Sequence, residues 1–293
     1  MRVPLECPAR MEEVAPPFRS YVLVSREQLA RNYHSVRAAV GPGVEVMGVV
    51  KADAYGHGAI EVARVLLDAG VRWLAVSSVE EGVTLRGAGI RQPRILVMGG
   101  FLPHEGDALV ECDLTPAVHS LAQIAMVDGL ARRWGKALPY HLKIDSGMNR
   151  LGTPAAPAEV AAALAAAPHA RLDGLMTHFA SAADYTSLQT DHQIEYFDSV
   201  AASLREQGIR PEWLHTSSTN AIGYARREGW HNMVRAGHAL YGYLSPPRGD
   251  APPRVIDVWP ALTCGSRFVP LKSGTLFSGP PFTEYTSSRF FTP

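Results

Sequence analysis

Short apolar runs alternate with longer amphipathic stretches along most of the chain. The run VEVMGVV (44–50) is rich in β-branched residues and nearly free of charge, the pattern of a strand covered on both faces. Similar runs follow at RWLAVSS (72–78), RILVMGG (94–100), LTPAVHS (114–120), YHLKID (140–145), LDGLMTHF (172–179), WLHTSSTN (213–220) and MVRAGHAL (233–240), eight candidate strands in all. Between them, IEVARVLLDAG (60–70), VEEGVTLRGAG (79–89), SLAQIAMVDGLARRWG (120–135), PAEVAAALAAAPH (157–169) and QIEYFDSVAASLREQG (193–208) carry helical periodicity, several closed by glycine. Strand and helix alternating in this way predict an α/β fold of the (β/α)8 TIM barrel type. An open doubly wound sheet would share much of the pattern, but no GxGxxG follows the first strand and the strand count favours closure.

Composition narrows the partners. Of 293 residues, 46% are hydrophobic, enough for a sizeable core. Lys+Arg and Asp+Glu both number 28, so there is no global basic field to attract nucleic acid or an anionic membrane. Any charged ligand must be held locally. The three cysteines, Cys7, Cys112 and Cys264, form no CxxC pair, which fits a reducing, cytoplasmic setting better than a disulfide framework or a zinc ribbon. Residues 1–20 read as a loose leader without the apolar stretch of a signal peptide, and no later window is apolar enough to span a bilayer.

The chemistry of such a barrel gathers at the C-terminal ends of its strands. There the sequence places Lys51, Asp145 with the loop to Arg150, His178, the run Ser217, Ser218, Thr219 and Asn220, and Arg235 before Gly237. An amine able to form an imine, hydroxyls and backbone N–H groups suited to phosphate, and arginines able to donate to a ring nitrogen or phenolate together describe a pocket for pyridoxal 5'-phosphate (PLP). A loose group comprising His178, Asp184, Asp191, His192 and Glu195 matches no standard metal-ligand spacing, and no metal is expected.

The segments VVKADAYGHG, HLKIDSGMNRLG, MTHFASAAD and NMVRAGHALYG, in this order, resemble alanine racemase, with the likeness covering residues 21–270. The resemblance implies a homodimeric isomerase that interconverts L- and D-alanine on PLP and supplies D-alanine for the cell wall. Lys51 would carry the cofactor and exchange the α-proton on one face of the substrate. Tyr55, Ser218 and Thr219, and the backbone of Gly237 and His238, would bind its phosphate. Many relatives have Asn-Ser where this chain has Ser218-Thr219, a mild departure because both pairs can donate. Arg235 would meet the pyridine nitrogen and leave it unprotonated, with His178 beside it. Arg150 would donate to the phenolic oxygen and contact substrate, and Lys143 matches a lysine carbamylated in some relatives.

Two other readings share the barrel. One is a non-catalytic PLP-binding single-barrel protein; the other, weaker one is a basic amino-acid decarboxylase, which normally has a carboxylate where Arg235 stands. The expected layout is a leader (1–20), a barrel (21–245), and a proline-rich linker with an incomplete β-domain (246–293). Strand YVLVS (21–25) is expected to be left with an unpaired edge. The resemblance also implies a second base, a tyrosine in a Ser-Tyr-Gly motif, where this chain reads TLFSGPPFTEY. Ser278 and Gly279 fall at that place, with Tyr285 the nearest tyrosine, so racemisation by this chain is expected to be impaired.

Overall fold

A computed structural model of the chain describes residues 20–266. Ser278, Gly279 and Tyr285, together with most of the leader and of the expected C-terminal β-domain, lie outside the described residues. Residues Ser25–Ala261 form one compact unit, and strands β1 (Ser20–Val24) and β10 (Leu262–Ser266) belong to a second. Residues 245–261 therefore group with the barrel. In the smaller unit β1 pairs antiparallel with β10, Tyr21 opposite Gly265 and Val22 opposite Cys264. The edge expected to be unpaired has a partner because the alternating stretch after the prolines supplies one.

The large unit is an eight-stranded parallel barrel. Its strands are β2 (Glu45–Val49), β3 (Trp73–Val76), β4 (Arg94–Val97), β5 (Thr115–Val118), β6 (Leu138–Lys143), β7 (Ala170–Met176), β8 (Trp213–His215) and β9 (Met233–Ala236). Each pairs with its sequence neighbour, β9 returns to β2, and a bridge between Ser218 and Arg235 closes the ring. Consecutive parallel strands need crossovers, and the helices Ala59–Asp68, Val79–Gly87, Leu121–Trp134, Pro157–Ala165 and Gln189–Glu206 provide them where the periodicity predicts. Ser78 caps Val79–Gly87 and Ser120 caps Leu121–Trp134 through their hydroxyls, and Gly135 ends the latter in a left-handed conformation. The helix Arg26–Val40, capped by Ser25, was not among the elements expected; its apolar face buries Leu29, Tyr33, Val36 and Val40.

The barrel interior mixes an apolar layer with a polar one. Met47, Val49, Trp73, Ala75, Leu96, Ala117, Met176 and Met233 pack together within it. Asp173, His141, His215 and Arg235 are buried alongside. A register shift where β6 meets β7 pairs Tyr140 with Leu172 but His141 with Gly174, leaving Asp173 as an extra residue, the signature of a bulge.

Candidate functional site

The turn after β2 has an unusual backbone. Ala52, Asp53, Ala54 and Tyr55 have φ of 51, 49, 54 and 54°, a left-handed turn built without glycine. Each such residue costs about 1–2 kcal/mol relative to right-handed backbone, so other contacts must hold the turn. Glu81 does part of this, accepting from Ala52 N–H (2.7 Å) and Ser77 N–H (2.6 Å). The Asp53 carboxylate accepts from Ala59 N–H (2.7 Å) and ties the turn to the next helix. Tyr241 Oη donates to Val49 O at 2.9 Å, fixing the strand end just ahead. The turn brings Lys51 Nζ to 5.9 Å from the Tyr55 ring centroid.

Lys51 and Tyr55 line a cavity of about 680 Å³. The other predicted residues, Arg150, His178, Ser218, Thr219, Arg235, Gly237 and His238, line it too, as does Lys143. Burial, with the negative charge of Glu81 adding to it, raises the Tyr55 phenol, so its hydroxyl stays protonated and able to donate. A Cβ on Gly237 would lie 3.1 Å from Tyr55 Oη, so the glycine keeps the space beneath that hydroxyl open. Thr219 Oγ1 accepts from Gly237 N–H (3.3 Å) and Ala239 N–H (3.1 Å). The Gly237 amide, expected to face a phosphate, is thus engaged by Thr219, and the threonine hydroxyl hydrogen is the donor left over.

Arg235 is held on several sides. Its Nη1 donates to His215 Nδ1 and to His215 O, both at 2.8 Å. Its Nη2 donates to Thr177 O (2.7 Å) and Thr216 O (2.9 Å), and lies 3.3 Å from His178 Nδ1. Burial lowers the guanidinium to about 9, which leaves it a cation at neutral pH. The Nη hydrogens are spent on the protein. Among the described residues only Nε–H has no acceptor, in a residue that lines the cavity. Burial, then the charge of Arg235, holds His178 down to about 3, so its ring is neutral and can accept from the guanidinium.

Arg150 is exposed at the end of a loop organised by Asp145, whose Oδ1 accepts from Gly147, Met148 and Asn149 N–H at 3.0, 3.0 and 3.1 Å. Lys143 is 5% exposed and forms no ion pair among the described residues. Burial, then Arg235 and Arg150, lower its amine to about 8.

These groups fit PLP. An amine, an unspent Nε–H for a ring nitrogen, and hydroxyl donors beside a glycine all belong to residues that line one cavity. Sequence reasoning missed Glu81, Asp173, His141, His215 and Tyr241. His141 and His215 could have been found by period two, since each lies two residues before a residue already singled out, Lys143 and Ser217. Asp173 was visible as a lone charge in an apolar run, but the bulge that redirects it was not.

The family model for the alanine racemase N-terminal domain matches residues 24–245. An alanine racemase from Synechocystis sp. is 37% identical over 87% of this chain and 68% of its own length. One from Halothermothrix orenii is 37% identical over 88% of this chain and 67% of its own length, so the chain spans about two thirds of these relatives. Among solved structures, alanine racemase from Clostridium difficile 630 in complex with cycloserine superposes with a TM-score of 0.79 at 30% identity, covering 86% of this chain and 69% of that one. The chain belongs to the alanine racemase family of PLP-dependent isomerases.

Proposed function

We propose that this chain is a PLP-dependent alanine racemase, acting in the cytoplasm as a homodimer and supplying D-alanine for the cell wall. The observation that carries this reading is the meeting of the Lys51 amine with the one unspent donor of Arg235 in a single cavity. PLP, when bound, supplies an aldehyde that condenses with amines and a ring that draws electron density from the substrate Cα. Lys51 is the residue that would hold it covalently. Tyr55, Ser218 and Thr219 would bind its phosphate through hydroxyl donors, Arg150 its phenolic oxygen and the substrate, and Arg235 its ring nitrogen.

The chain's own groups then set the chemistry. Arg235 donates a hydrogen bond without surrendering its proton, because a guanidinium does not readily act as an acid. Facing the ring nitrogen of bound PLP, Arg235 would leave it unprotonated, so the ring would draw electrons less strongly than it would opposite a carboxylate and return of the proton to Cα would be favoured. The neutral ring of His178 and the carbonyls around Arg235 hold that geometry. Lys51, as the free amine, takes or returns the α-proton on one face.

Hydrogen exchange tests this without requiring a second base. The chain loaded with PLP and incubated with each alanine enantiomer in D2O should place deuterium at Cα of one of them, as read by NMR, and Lys51→Ala should abolish the exchange. Absence of exchange with both enantiomers in folded, PLP-loaded protein would contradict the reading.

A further inference from the structure

A line of polar groups, buried from Asp173 to Arg235, crosses the barrel interior from the half-buried Arg94 at the start of β4. Arg235 Nη1 donates to His215 Nδ1 at 2.8 Å, and His215 Nε2 lies 2.7 Å from His141 Nδ1. His141 Nε2 has no hydrogen-bond acceptor among the described residues and sits 3.7 Å from Asp173 Oδ2, an electrostatic contact longer than a hydrogen bond. Asp173 is held in turn by Arg94 Nη2 at 2.6 Å and Arg171 Nη2 at 3.1 Å.

Donor and acceptor roles along this line are forced. A guanidinium offers only hydrogens, so His215 Nδ1 must be bare and its proton must sit on Nε2. That proton points at His141 Nδ1, which must also be bare, so the His141 proton sits on Nε2 and faces the carboxylate. Both rings are fully buried, and burial lowers the pKa of each, so neither carries an extra proton at neutral pH. The reversed pattern would set a His215 Nδ1–H against an Arg235 N–H, donor against donor. The guanidinium fixes the polarity at one end and Asp173 fixes it at the other.

Two features of β7 serve this arrangement. The bulge gives Asp173 contacts with Arg94 and His141 inside the barrel, where regular alternation would turn it away from its neighbour Gly174. A Cβ on Gly174 would fall 2.6 Å from His141 Nδ1, so only glycine leaves room for the ring.

We propose that Asp173, through His141 and His215, holds the far end of the proton pattern that anchors Arg235 toward the cavity, which makes Asp173 and His141 positioning residues for the racemase site. The chain of contacts rests on the reading that Arg235 meets the cofactor ring only in its consequence for PLP, not in its existence.

The test uses the full chain labelled with 15N-histidine, without cofactor, and long-range 1H–15N NMR. Neutral His141 and His215, both protonated on Nε2, are expected; a proton on Nδ1 of either, in the wild type, overturns the proposal whatever the chain does with PLP. Asp173→Asn should keep the tautomers that Arg235 imposes, shift the His141 Nε2–H proton resonance by removing the carboxylate it faces, and weaken PLP binding, followed by fluorescence titration, by roughly tenfold, the low end for residues that orient a ligand-binding group. Asp173→Glu should restore most of both. An unchanged His141 Nε2–H resonance together with PLP affinity within about twofold in Asp173→Asn would overturn the proposal. Failure of even the wild type to bind PLP would instead count against the proposed function, and the wild-type tautomers would still decide the proton pattern.

Discussion

Ala52→Gly separates a left-handed turn from an ordinary helical one by the sign of its effect. Ala52 is exposed and has φ 51° and ψ 53°, so its methyl group contributes backbone strain and no burial. Replacing it removes about 1–2 kcal/mol of left-handed strain. The added freedom of glycine in the unfolded chain costs back about 0.5–1 kcal/mol. The net expectation is stabilisation by roughly 0.5–1 kcal/mol. Ala202, exposed in the right-handed helix Gln189–Glu206, is the control, where the same exchange should destabilise by about 1 kcal/mol. Equilibrium urea unfolding at fixed protein concentration should move the two midpoints in opposite directions. Destabilisation by Ala52→Gly as large as that of Ala202→Gly would refute the assigned turn and the strain reasoning with it.

Gly237→Ala should keep the fold but weaken PLP binding by about tenfold, read by fluorescence titration, because the new methyl meets the Tyr55 hydroxyl at 3.1 Å. Arg235→Glu should destabilise by about 3–5 kcal/mol in urea unfolding, since it removes the donor to Thr177 O, Thr216 O and His215 O and buries a carboxylate among them; wild-type stability would contradict the contacts. His178, held to about 3, and His119, held to about 4 chiefly by burial, both have folded pKa values below the ordinary 6.5. The unfolded chain therefore binds protons first as pH falls from 6.5 toward 4, and stability should drop by about 1.4 kcal/mol per pH unit for each histidine. His178→Gln should flatten that slope. The Lys143 amine, lowered to about 8, has a sizeable neutral fraction near neutral pH, and 13C-bicarbonate should produce a carbamate NMR signal that Lys143→Ala removes.

Much of the barrel was legible because its strands are both-face buried and its crossovers amphipathic, signals that are local in sequence. The strand ends followed from those positions, which is why Lys51, His178, Ser218, Thr219 and Arg235 could be named together and why they line one cavity. The helix Arg26–Val40 escaped because Glu27, Arg31 and Arg37 dilute its apolar stripe. Glu81 could not be found: its role is to accept from backbone N–H groups of Ala52 and Ser77, and nothing in the pattern of a helix marks which carboxylate does that. The engagement of the Gly237 amide by Thr219 was equally hidden, since it depends on how two strand ends approach across the bridge between Ser218 and Arg235.

Borohydride reduction of the PLP-loaded chain, followed by peptide mapping, tests the central claim most directly. The account predicts a pyridoxyl label on Lys51 alone, within the peptide containing KADAYGHG. A label on Lys136, Lys143 or Lys272, or none on folded protein, would contradict it.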